Sequence, residues 1–180
     1  PAGTAFKTPT FRSVWRHDAV VTGRLPWQRF PYQFKSLRAD FSIFASDVFS
    51  LAAAPPAGQP LKLLLTSDHQ SKPMTAANLQ KVKETVGEVD AVLVAGDLVN
   101  VPDRASEWFD DAEGAAFFPA LQGRGNYALK TNGWTTRYRG GALNQTAPLF
   151  PSAGNHEVLG RYLPEEPLYS QIIHPVPRKA

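Results

Sequence analysis

Apolar positions along this 180-residue chain change period from segment to segment, and the changes mark its elements. Leu61–Ser67 (LKLLLTS) is a nearly continuous apolar run, the pattern of a buried strand. In Met74–Val86, Leu79, Val82 and Val86 recur at spacings of three and four, which predicts a helix with Pro73 near its start and Gly87 at its end. Asp90–Ala95 (DAVLVA) has the pattern of a second buried strand. Strand, helix and strand of these lengths form a βαβ unit, so the strands should be parallel neighbours whose carboxyl ends open on one edge. Farther on, Leu149–Ala153 predicts a third short strand and Ala105–Leu121 a helical region. The run GRGNYALKTNGWTTRYRGG between them predicts an elaborated loop or hairpin.

The front third is less regular. Asp18-Ala19-Val20-Val21-Thr22 points to a strand inside an irregular extension. Between positions 37 and 54, Leu37, Phe41, Phe44, Val48 and Leu51 fall at spacings of three and four, predicting an amphipathic helix. The prolines of AAPPAGQP (53–60) deny both helix and ladder hydrogen bonds and make a linker. The expected organisation is an N-terminal extension over 1–60, with its helix and Pro-rich linker, followed by an α/β domain over 61–180.

Composition narrows the chemistry. With no cysteine, disulfides and thiolate metal sites are excluded, so any metal must be held by oxygen and nitrogen. No apolar stretch is long enough to span a bilayer, and the sequence is that of a soluble chain, with a lean towards the cytoplasm. The net charge of +3 is concentrated in front: residues 1–60 carry seven Lys/Arg against three Asp/Glu, the remainder twelve against thirteen. Aromatic residues lie among these front arginines, which are better explained as flanking aromatic core residues than as a nucleic-acid surface, since no clear nucleic-acid motif accompanies them. Asn144-Gln145-Thr146 has the form of a glycosylation acceptor. Oligomeric state is not legible.

Three polar clusters follow the three candidate strands in order: Asp68-His69-Gln70, Gly96-Asp97-Leu98-Val99-Asn100 and Gly154-Asn155-His156-Glu157. Open α/β sheets place ligand sites beyond the carboxyl ends of their strands. Carboxylates and side-chain amide carbonyls are hard donors, suited with histidine to Mn, Mg, Fe or Zn. The glycines before Asp97 and Asn155 are expected to let the backbone turn sharply and aim the next side chain into the cleft.

In this order and context, TSDHQ, AGDLVN and AGNHE resemble the D-x-H, G-D-x-x and G-N-H-D/E motifs of the calcineurin-like metallophosphoesterases. The resemblance covers residues 61 to about 160, with 29 residues from Asp68 to Asp97 and 58 from Asp97 to Asn155. It implies an α/β/β/α sandwich with parallel strands, incomplete here, and metal-dependent hydrolysis of phosphate esters at a site for two divalent ions (Mn, Mg, Fe or Zn). It also implies that Asp68 binds the first metal, Asp97 bridges both and Asn155 holds the second. His156 would lie beside the scissile phosphate, with Glu157 orienting it. Paired cations suit such chemistry because they clamp the ester oxygens and make hydroxide available near neutral pH.

Two departures qualify the resemblance. Position 70 is Gln where the family has His; Gln70 either donates its carbonyl oxygen to a metal or hydrogen-bonds metal-bound water. His69 is expected to be a loop histidine bonded to backbone or solvent. The later histidines of the family, including a G-H-x-H segment, do not occur before Ala180, and His174 is no firm substitute. The chain is therefore expected to be the front part of a longer enzyme, the alternative being a non-catalytic binding or scaffold domain of the same fold. Asn100 stands where the purple acid phosphatases place an iron-ligating Tyr, and argues against that subtype.

Overall fold

A computed structural model describes residues 17–157 except 73, 103 and 112. In chain order the elements are β1 (Arg29–Tyr32), β2 (Lys35–Leu37), β3 (Ile43–Ala45), β4 (Phe49–Ala52), β5 (Leu63–Thr66), α1 (Thr75–Val86), β6 (Ala91–Val94), α2 (Ala105–Phe109), α3 (Phe117–Leu121), β7 (Tyr127–Thr131), β8 (Trp134–Tyr138) and β9 (Leu149–Pro151).

The βαβ unit forms as its periodicity predicts. β5 pairs parallel with β6, and β6 with β9, in the order β5-β6-β9. All three carboxyl ends thus open on one edge. α1 starts one residue later than its pattern suggested, and the N–H of Gly87, with φ 76°, closes it on Lys83 O. Val92, Val94 and Leu64 face Leu79, Trp108, Phe117 and Leu121, which form the core with Leu98, Val99 and Leu143. Trp108 and Phe117 meet edge to face at 5.6 Å, and the Trp108 indole N–H donates to Pro102 O, so the largest core side chain leaves no polar atom stranded.

The opposite face of the sheet is only partly covered by described residues, Arg29 and residues 51–55 lying over its Leu63 and Ala91 end. Leu65, Leu93 and Phe150 are in register across the three strands, yet Leu65 is 73% and Phe150 57% exposed. Parallel sheets are ordinarily covered on both faces, and here the described residues leave this apolar row largely open.

The 105–121 region is two five-residue helices, α2 and α3, rather than one. The Gly-rich run is a hairpin, β7 paired with β8, whose Asn132 and Gly133 take φ values of 51° and 81° in the left-handed turn that such a hairpin needs.

The front third corrects two expectations. No strand covers Asp18–Thr22; the strands lie at β1 and β2. No helix covers 37–54 either, where β2 pairs with β3 and β1 with β4, both antiparallel. The cause is local: Asp40 Oδ1 accepts the backbone N–H of Ser42 at 2.9 Å and its hydroxyl, an Asx turn that competes with a helix, and Phe41 sits at φ 63°. Ile, Val and Phe around that turn favour strands. The front aromatics are half-buried or exposed rather than core, with the Arg24 guanidinium 4.5 Å above the Phe30 ring. Tyr32 donates to Gln145 O at 2.7 Å and Arg29 to Thr146 O at 3.4 Å, so these hairpins are tied to the body. Asn144 is half-buried and Gln145 buried in the folded chain. No helix among the described residues is long and apolar enough to cross a membrane. Phe11, Trp15 and His174 lie outside the described residues.

Candidate functional site

The three polar clusters meet at the open edge of the β5-β6-β9 sheet. The loop after β5 is stitched to the loop after β6 by main-chain bonds: Asp68 N–H donates to Gly96 O at 3.3 Å, and Gln70 N–H reaches Asp97 O at 3.3 Å and Leu98 O at 3.1 Å. The loop after β9 is stitched to that of β6 through Asp97, whose Oδ1 accepts the His156 N–H at 3.0 Å. Asp68, Gln70, Ser71 and Asp97 all adopt positive φ, between 42° and 54°. Non-glycine residues in this region cost on the order of 1–2 kcal/mol each, so four together mark loops shaped by something besides local preference.

The glycines act differently from a simple turn signal. Gly96 does have φ 81°, but a Cβ on it would also lie 2.6 Å from Gly154 Cα. A Cβ on Gly154 would overlap the Asp97 carboxylate. Two bare backbones touch here, and the closeness lets Asp97 bond both neighbouring loops.

Glu157 is the keystone. Its carboxylate is 4% exposed and accepts the backbone N–H groups of Asp97, Leu98 and Gly154, each at 2.9 Å, with Val99 at 3.5 Å. The expectation that Glu157 orients the His156 ring is corrected: its oxygens are aimed at backbone amides, and the ring is held elsewhere. His156 Nδ1 lies 2.8 Å from Asn100 O. A carbonyl can only accept, so Nδ1 carries the proton and Nε2 is left to meet an incoming group.

Asp68 is exposed on the rim, 3.6 Å from Lys72 Nζ. The Ser67 hydroxyl, donating at 2.8 Å, holds its carboxyl below the usual range, and the charges of Lys72 and His156 act the same way. Asn155 is exposed and precedes His156 in sequence. Gln70 directs its amide NH2, not its carbonyl, at Asp97 Oδ2, 2.6 Å away. Its side-chain bond thus goes to a carboxylate. His69 turns inward, 3% exposed, with Nε2 3.0 Å from Thr66 Oγ1 and its ring against Phe117. It is bonded to a side chain, not to backbone or solvent, and burial pushes its pKa down to about 4.

The donor set was weighed against the metals that the motifs imply. Asp68, Asp97 and Asn155 offer hard oxygens of the kind that bind divalent cations. Among the described residues no group of three or more His, Cys, Asp or Glu side chains gathers for a metal, His69 is turned away, and Gln70 presents a donor.

Sequence reasoning missed Glu107 and Arg104. They form a buried pair at 2.7 Å, and Glu107 Oε2 accepts the N–H groups of Asn100 at 2.8 Å and Val101 at 3.0 Å. The only signal was a Glu and an Arg three apart in an apolar stretch just past the second cluster.

No protein-family model and no curated protein sequence matches the chain. Among solved structures it is similar to a purple acid phosphatase from yellow lupin (Lupinus luteus) seeds, at a TM-score of 0.51 and 16% identity over 81% of this chain. The chain spans 24% of that phosphatase's length. At this identity the likeness is one of fold: a phosphoesterase-type α/β arrangement, consistent with part of a sandwich.

Proposed function

We propose that this chain carries the first three strand-end loops of a metal-dependent phosphoesterase, acting on phosphate esters in the full-length protein. The observation that carries the reading is the convergence of Asp68, Asp97, Asn155 and His156 on one sheet edge, with two loops locked together by Glu157. Asp68, Asp97 and Asn155 would hold a divalent cation, and residues outside the described ones would complete any second metal. When bound, such cations polarise the ester and supply hydroxide. His156, its Nδ1 proton fixed on Asn100, presents Nε2; charged, that nitrogen donates a proton to the leaving oxygen. The open apolar face of the sheet supports the reading of an incomplete sandwich.

The test is turnover of an aryl phosphate by the full-length protein with added Mn. Asp97→Asn and His156→Ala should each lower kcat by about a hundredfold or more. Unchanged turnover in both rules the reading out. One observation favours a second reading, a non-catalytic binding or scaffold domain: the Gln70 amide already occupies Asp97 Oδ2. Elemental analysis separates the two, since a scaffold retains no metal after loading and desalting.

A further inference from the structure

The buried pair of Arg104 and Glu107, 9% and 6% exposed, sits behind the loop that follows β6. Its connections explain why it is there. Glu107 Oε1 takes Arg104 Nη1 at 2.7 Å, while Oε2 faces the backbone N–H groups of Asn100 and Val101. The N–H of Val101 and the C=O of Asn100 belong to one planar peptide group. That same carbonyl receives the Nδ1 proton of His156 at 2.8 Å. A carboxylate, a peptide and an imidazole therefore stand in line.

We propose that Glu107 is a positioning residue for His156, acting through the Asn100–Val101 peptide; the inference rests on reading His156 as the group that meets the ester. An ionised carboxylate on the N–H end polarises the peptide and makes its carbonyl a stronger acceptor for the imidazole. The consequence is twofold: the ring is fixed in rotation, and the neutral ring is fixed as the tautomer with Nε2 bare. Carboxylates orient functional histidines directly in many sites; here a peptide group is interposed. Arg104 holds the Glu107 carboxylate in place through its Nη1 contact.

The experiment uses full-length protein with ¹⁵N-labelled histidine, at a pH well above the usual imidazole range, the His156 signal being assigned by its loss in His156→Ala. The wild type should show His156 protonated on Nδ1. Glu107→Gln, and the double variant Arg104→Met/Glu107→Met that removes both buried charges together, should shift His156 towards the Nε2-protonated form. With an aryl phosphate, kcat should fall about tenfold to a hundredfold while KM stays within about twofold.

A wild-type His156 protonated on Nε2 overturns the proposal whether or not the variants fold. An unchanged tautomer in either folded variant also overturns it. The readouts separate the inference from the function it rests on: if the tautomer follows Glu107 while His156→Ala leaves turnover unchanged, the relay stands and the phosphoesterase reading falls.

Discussion

Replacing Glu157 tests whether the candidate site is held together by one side chain. Its Oε2 serves the N–H groups of Asp97 and Gly154, and its Oε1 those of Leu98 and, more distantly, Val99. Glu157→Ala strands three well-formed donors. Each costs about 1–3 kcal/mol when left without a partner, with those of the half-buried Asp97 and Gly154 at the low end because water can reach them. The expected loss is about 3–5 kcal/mol, a large fraction of the roughly 5–15 kcal/mol that stabilises a typical domain. Glu157→Gln keeps one accepting oxygen and turns an NH2 towards donors on the other side, so it should lose about half as much. Urea unfolding of the full-length, metal-free protein, followed by tryptophan fluorescence with Trp108 buried in the core, measures both. Amide exchange at Leu98 and Gly154 should quicken in the alanine variant before the core opens. If both variants unfold within about 0.5 kcal/mol of wild type, the keystone role is refuted.

Two further outcomes follow from the same geometry. Gly154→Ala, whose Cβ would overlap the Asp97 carboxylate and lie 2.5 Å from its backbone N, should destabilise the full-length protein by about 2 kcal/mol or more and weaken Mn binding; Gly133→Ala, with nothing within 4 Å, should cost only about 1–2 kcal/mol and leave Mn binding alone, as denaturation and calorimetric titration would show. His69 has its folded pKa lowered from 6.5 to about 4, so between those values the unfolded chain binds a proton that the folded chain refuses. Stability is therefore complete above pH 6.5 and falls as pH drops towards about 4, by up to about 3 kcal/mol, and a pH series of metal-free urea unfolding should lose that slope in His69→Gln.

The sheet that positions the site was legible because its signals are local and redundant. Apolar runs of strand length, a helical period between Leu79 and Val86 and a closing Gly87 all agree on one βαβ unit. The front hairpins were not legible, for a physical reason: strands whose side chains are exposed or half-buried have no buried face to impose an alternating pattern, and the spacings from Leu37 to Leu51 imitate a helix. At the site, the identities of Asp68, Asp97, Asn155 and His156 stood out as polar residues at strand ends. Their contacts did not. Whether Glu157 faces an imidazole or three backbone amides depends on how closely Gly96 and Gly154 approach, and that distance is set by residues 58 apart.

The acidic residues at this edge divide into two kinds by what they accept. Glu157 and Glu107 are buried and take backbone N–H groups, fixing the loops after β6 and β9. Asp68 is exposed, with one oxygen on Ser67 and the other only loosely held by Lys72 at 3.6 Å, so it can exchange these partners for a cation with little structural loss. Asp97 is intermediate: each of its oxygens takes a donor, one from the His156 backbone and one from the Gln70 amide. The His156 contact is a main-chain bond within the locked pair of loops, whereas the Gln70 contact joins two side chains, so of the two it is the freer to give way to a cation. Position 70, where this chain departs from the family it resembles, thus sets a hydrogen-bond donor on one oxygen of Asp97.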